Sequence, residues 1–305
     1  MSASGAPQDP SGLGQQAAPP YAVLPDPATL FLARSRRLRA LASDHHPLTP
    51  YLSFVAGLTE AQHNIQPGLS AALLPGAAQV QQAFQGGLPP LACACLEPGE
   101  AAETTMRRFL ESLCDTPARE WEGTAALQAL AGASSGTMRQ LMSAALKDAP
   151  VEDIAERVLV LAGLQVHISR LAARLSATEL KPVAEGACPV CGSPPMISAV
   201  VGWPNAQNSR YCTCPLCATM WNVVRIKCTL CSSTEGIGYH VIEGQPETVK
   251  AETCDKCGHY VKVLYQVKDP ALDPLADDIA TLDLDILLAG EGWKRGGRNP
   301  FLLGY

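Results

Sequence analysis

Four Cys-x-x-Cys pairs crowd the chain between residues 188 and 257: Cys188/Cys191, Cys214/Cys217, Cys228/Cys231 and Cys254/Cys257. Two residues between paired cysteines let the backbone turn tightly enough for both thiolates to face one ion. A small or conformationally permissive residue follows each second cysteine (Gly192, Ala218, Ser232 and Gly258) and eases backbone amides toward sulfur. Two such turns close a four-thiolate cage, and a site with four protein ligands leaves no open position for a substrate. The chemistry on offer is tetrahedral metal binding. Four thiolates suit Zn²⁺ and a single iron equally; zinc would make the cages structural, and iron would add one-electron redox chemistry.

Moving the first two pairs forty residues along lands them on the last two, each half reading Cys-x2-Cys-x22-Cys-x2-Cys. "MWNVVRI" then falls on "YVKVLYQ". A register kept through both cysteines and strands marks one unit, with one site, that was duplicated. In the seam "RYCTCPLCATMWNVVRIKCTLC", Cys214 and Cys217 complete the first site and Cys228 and Cys231 begin the second. A different pairing stays open, in which Cys214/Cys217 and Cys228/Cys231 share an ion across the ten residues between them, although the repeat speaks against it. Cys212 aligns with Glu252 and is not expected among the ligands. Cys93, Cys95 and Cys114 lack the spacing and read as buried small hydrophobes. His259, whose counterpart is Thr219, reads as a surface imidazole. A redox dithiol would need a βαβ setting, which the pattern around these pairs lacks.

The turns need strands to carry them. Runs such as "MISAVV", "MWNVVRI" and "YVKVLYQV" lie between Gly, Pro, Asn and Ser clusters beyond Lys181-Pro182, as β-strands do. Before that point the periodicity is helical. An arginine-rich stretch, 28–43, puts Phe31, Leu38 and Leu41 on one face, and 49–65 repeats the pattern with Leu52, Val55, Leu58 and Ile65. Pro and Gly punctuate 66–98, leaving short helical pieces or loops. Residues 135–146 align Met138, Leu141, Met142, Ala145 and Leu146, and 151–176 carry the strongest pattern after a start signal at Pro150, Glu152 and Asp153. One last helix is expected over 275–289, with Asp277 and Asp278 in a favourable first turn. The tail from Trp293 to Tyr305 reads as extended and partly exposed, able to pack on the domain itself or on another protein. Arg34, Arg36, Arg37 and Arg39 form a basic face, either solvated or meeting an acidic partner.

At 305 residues the chain exceeds what one hydrophobic core usually organises. The formal net charge of -6 gives no pull toward nucleic acid or anionic lipid. Between Pro182 and Pro270 seven Lys/Arg face seven Asp/Glu, so a nucleic-acid-binding zinc ribbon lacks its basic footprint. The opening residues have neither the basic head nor the apolar stretch of an export signal, and the apolar tract around Val158–Ile168 falls short of a membrane span. A cytoplasmic protein is expected. There thiols stay reduced, so twelve cysteines are not a disulfide framework. No nucleophile elbow, phosphate loop or paired-carboxylate site is present, and an enzyme is not expected.

"CPVCGSPP", the seam, "KAETCDKCGHYVKVLYQ" and "ADDIATLDLDILLAGEGWKRGGRNPFLL" together resemble the formate dehydrogenase accessory protein family, FdhE, and the similarity reaches more weakly into "RSRRLRALASDHHPLTPYLSFVAGLTEAQ". The resemblance implies a cytoplasmic maturation factor that binds the catalytic subunit of respiratory formate dehydrogenase. It also implies two rubredoxin-like sites holding iron, with zinc as the alternative, on Cys188, Cys191, Cys214, Cys217, Cys228, Cys231, Cys254 and Cys257. Cys212 departs from the family, which carries an apolar residue there. The expected fold is α+β and multidomain: a disordered tail (1–26), an α-helical domain (27–181), two tandem rubredoxin-like, zinc-ribbon-like four-cysteine β modules (182–226 and 227–270), then a C-terminal helix and tail (271–305). The other function in view is an electron carrier of rubredoxin type. Neither nucleic acid nor stable membrane association is expected.

Overall fold

Asp26 starts the first helix: its carboxylate accepts from Ala28 N, and Pro27 fills the first turn, where no amide proton is needed. The computed structural model describes residues 18–42, 45–114, 123–150 and 153–303. Its helical half holds α1 (Pro27–Leu41), α2 (Thr49–Asn64), α3 (Ala77–Gly86), α4 (Glu100–Cys114), α5 (Thr124–Gly132), α6 (Ser135–Leu146) and α7 (Ile154–Ala172). Ser134 caps α6 through Thr137 N and Asp153 caps α7 through Glu156 N. Helix α7 is buried nearly all round, as a central helix must be, and α2, α4, α5 and α6 pack against it. At the α4–α7 crossing a Cβ on Gly163 would lie 2.4 Å from Met106 Sδ, so any larger residue there would have to displace the end of the Met106 side chain. No helix among the described residues is long and apolar enough to cross a membrane.

The second half is one eight-stranded sheet, ordered β1-β4-β3-β2-β7-β6-β5 with β8 against β7. The first repeat supplies β2 (Ile197–Val200), β3 (Arg210–Thr213) and β4 (Met220–Val223); the second supplies β5 (Ile237–His240), β6 (Val249–Cys254) and β7 (His259–Leu264). Each repeat is an antiparallel meander. The two meanders fuse through a parallel pairing of β2 with β7, Ser198 opposite Val263. At one edge β1 (Ala22–Val23) covers β4, with Ala22 opposite Trp221. Within the segment assigned to the tail on sequence, Tyr21 to Val23 therefore pack on the sheet, Asn222 N donating to Tyr21 O; the first seventeen residues lie outside the described residues.

Past the sheet, the single helix expected over 275–289 is two: α8 (Ala276–Ala280) and α9 (Leu282–Gly290). At the break Lys262 Nζ donates to Asp278 O and Thr281 O at 2.8 Å, and so satisfies carbonyls at the end of α8 and the start of α9. Nor are Asp277 and Asp278 merely first-turn residues. Asp278 is buried between Lys262 and Arg295, and Asp277 takes both Nε and Nη2 of Arg37. The basic face of α1 accordingly finds its acidic surface within the chain: Arg34 meets Asp273, Arg37 meets Asp277 and Asp269, and Arg39 meets Glu60, while Arg36 stays exposed. The tail is not loose either. Lys294–Arg295 form β8, Phe301 and Leu302 are buried, and Tyr51 donates to Phe301 O. Gly304 and Tyr305 lie outside the described residues.

Candidate metal centres

Each cysteine pair sits on a tight turn of one design. Gly192, Ala218, Ser232 and Gly258, the residues that follow the second cysteines, all have left-handed backbones with φ of 79°, 58°, 60° and 70°. That conformation curls the chain back on itself: Gly192 N, Ser232 N and Gly258 N donate to the carbonyls of Cys188, Cys228 and Cys254. Cys188 N and Cys228 N return bonds to Ser193 O and Ser233 O. Amides turned inward also reach sulfur, as Leu216 N and Cys217 N do to Cys214 Sγ and Leu230 N to Cys228 Sγ.

The turns bring the eight cysteines into two groups, Cys188, Cys191, Cys214 and Cys217 in one and Cys228, Cys231, Cys254 and Cys257 in the other, with the sulfurs of each group within 4.8 Å of one another. Cys188–Cys217 and Cys191–Cys214 are 3.6 and 3.3 Å apart; Cys228–Cys257 and Cys231–Cys254 are 3.9 and 3.7 Å apart. A tetrahedron with 2.3 Å metal–sulfur bonds has edges of about 3.8 Å. The donor set and its spacing fit a tetrahedral ion in each group, and the grouping follows the repeat rather than the seam pairing.

Proton affinities point the same way. Hydrogen bonds from Cys188, Cys214, Cys217 and Cys93 hold Cys191 well below the usual thiol range, while burial pushes Cys188 and Cys217 well above it. In the second group a hydrogen bond from the Ser233 backbone lowers Cys231, and burial pushes Cys228 up to about 12 and raises Cys257. A bound cation is what would make four thiolates stable together.

The two groups differ in setting. The first lies under the helical half: Leu91 N donates to Val190 O, Cys93 N to Cys191 O, and Gln165 Nε2 to Pro215 O at 2.6 Å. Gln165 also accepts from Gln62 at 3.0 Å, so its place in an apolar helix is explained by the cysteine turn it holds. In the sequence the only signal of this role is a polar residue inside the apolar periodicity of 151–176. The second group hangs at the outer end of β6 and β7 with Cys231 exposed and Cys257 partly so.

The remaining candidates stand apart. Cys212 is buried on β3 opposite Trp221, outside both groups, and burial pushes its thiol up to about 12. Cys93 is buried as expected, but Cys95 and Cys114 are exposed. Cys93 Sγ lies 4.0 Å from Ser193 Oγ, itself 3.3 Å from Cys191 Sγ; its thiol is raised by contact with Cys191 and by burial. His259 is half-buried rather than on the surface, its Nδ1 2.6 Å from Cys257 O.

Three family models cover the chain in succession: FdhE N-terminal over residues 19–185, the FdhE central domain over 187–225 and the FdhE C-terminal domain over 226–302. A "Protein FdhE homolog" of Rhizobium meliloti (strain 1021) is 39% identical, the match spanning 100% of both chains. Another, of Stutzerimonas stutzeri (strain A1501), is 35% identical over 93% of this chain and 92% of that one. The crystal structure of the FdhE protein from Pseudomonas aeruginosa superposes with a TM-score of 0.82 at 32% identity, covering 94% of this chain and 99% of that chain. A helical region, a mixed sheet bearing two four-cysteine clusters, and matches along nearly the whole length lead to one conclusion: the chain belongs to the FdhE family of formate dehydrogenase accessory proteins.

Proposed function

We propose that the chain is a cytoplasmic maturation factor for formate dehydrogenase that recognises the catalytic subunit and binds two metal ions. Cys188, Cys191, Cys214 and Cys217 would hold one, and Cys228, Cys231, Cys254 and Cys257 the other. The observation that carries this reading is the duplicated four-sulfur grouping at tetrahedral spacing in a member of the FdhE family. FdhE proteins are accessory factors and not enzymes. Iron is the metal we assign to both sites, with zinc as the alternative: iron supplies one-electron redox chemistry when bound, and zinc supplies rigidity alone. The protein's own part is to present four sulfurs at fixed spacing, turn amides toward them, and keep water from the first group.

Chain purified without oxygen is expected to carry iron in both clusters and to retain the catalytic subunit of formate dehydrogenase on an affinity column. Cys188→Ala and Cys228→Ala should each lose the metal of their own cluster and lower formate dehydrogenase activity in cells. Full metal content in both variants would overturn the ligand assignment; a column that retains no subunit would overturn the partner.

A further inference from the structure

The clusters share ligands, spacing and turn geometry, yet they are not placed alike. No cysteine of the first group exposes more than 2% of its surface. Ser193 Oγ and Thr219 Oγ1 lie 3.3 and 3.1 Å from Cys191 Sγ and Cys217 Sγ, and the 89–95 loop and α7 bond directly to its two turns. A cleft of about 680 Å³ includes Cys93, Cys191 and Ser193 in its lining, but Cys191 itself stays closed. Freeing a sulfur there means breaking the joint between helical half and sheet. In the second group Cys231 is exposed and Cys257 partly exposed, and the turn after Cys257 is open, with nothing within 4 Å of a Cβ placed on Gly258. Ligand exchange at a thiolate cage needs an incoming donor to reach the ion, or a proton to reach a departing sulfur. Only the second cluster admits either from solvent.

We infer that the two centres divide the work, on the reading above that each holds a metal: the Cys188 cluster is a fixed staple between helical half and sheet, and the Cys228 cluster is the exchangeable centre. Its Cys231–Cys257 edge is where the protein takes up and surrenders its ion, and where an outside ligand, such as a thiolate or chelating side chain of a client, makes contact.

The test uses the full chain loaded with zinc in both clusters and challenged with excess 4-(2-pyridylazo)resorcinol. One equivalent should leave at least about tenfold faster than the other, and the slow one should follow the protein's global opening as denaturant is added. Alkylation with iodoacetamide after the fast phase should mark Cys228, Cys231, Cys254 and Cys257 and spare Cys188, Cys191, Cys214 and Cys217; exposed Cys95 and Cys114 label from the start and serve as the internal control. Cys231→Ser should abolish the fast phase and leave the slow one unchanged, a variant at the surface that does not disturb the joint. Release of both equivalents at one rate, or alkylation of the Cys188 cluster first, overturns the division. A chain whose cysteines take up neither zinc nor iron overturns instead the function proposed above, so the two failures are distinct.

Discussion

Ala218 and Ser232 hold the same left-handed backbone as Gly192 and Gly258, and a side chain in that conformation costs roughly 1–2 kcal/mol. The turn tolerates the cost because two inward amides and a sulfur contact depend on it. Gly258 isolates the effect, since a Cβ there would touch nothing within 4 Å. Gly258→Ala should therefore lower the stability of metal-loaded protein by about 1 kcal/mol through φ alone, read as a shift in thermal midpoint without loss of metal. His167 offers a second residue-level prediction. Burial, then the nearby Arg170 charge, drops its imidazole from 6.5 to about 4. The unfolded chain binds that proton between pH 6.5 and 4 and the folded chain does not, so stability falls as pH is lowered through this window, by up to roughly 1.4 kcal/mol per unit. His167→Gln should flatten that part of the profile, measured as denaturant midpoint against pH.

Among the elements, β7, α8, α9 and β8 are bound by a closed charge network. Lys262 meets Asp278 at 3.2 Å and Asp285 at 2.5 Å; Arg295 meets the same two carboxylates at 2.5 and 2.6 Å, and Tyr260 and Asn299 donate to the oxygens Arg295 holds, Asp285 Oδ1 and Asp278 Oδ2. Two cations offset two anions with almost no solvent contact, so removing one member leaves an uncompensated buried charge. Asp278→Ala should cost about 3–5 kcal/mol and free the C-terminal helices from the sheet, seen as faster amide exchange across α8 and α9; pairing it with Lys262→Met should recover part of the loss. None of this network was readable locally. Asp277 and Asp278 fit the first turn of a helix because that pattern needs only neighbours, whereas Arg37 reaches Asp277, and Lys262 and Arg295 reach Asp278, through tertiary folding. The Thr281 break was hidden for the same reason, the ammonium that bonds its carbonyls coming from another element. Start signals at Asp153 and the cysteine turns were legible because they are written within a few residues. The α4 helix carries Ala102, Met106, Phe109 and Leu110 on its buried face, a periodicity the sequence does contain, and the expectation passed over it.

At the scale of the molecule, the helical half and the sheet meet through the first cluster. Gln165 is the hinge pin of that meeting, giving to Pro215 O and accepting from Gln62, which also donates to Ala162 O. Gln165→Leu leaves buried polar groups without partners and should cost about 1–3 kcal/mol. The loss should appear in the denaturant midpoint while the exposed second cluster keeps its metal. The cysteine repeat announced two units, and the sequence contained no sign that their sheets would join, because parallel pairing of β2 with β7 depends on which edges remain open after each meander forms. The β2–β7 seam also orders events during synthesis. On the ribosome β2 emerges some sixty residues ahead of its partner, so a nascent chain stopped between the repeats displays a bare strand edge, and only release of residues beyond 264 lets the sheet seal. Released chains truncated near residue 226 should bind general chaperones that the full-length released chain no longer recruits.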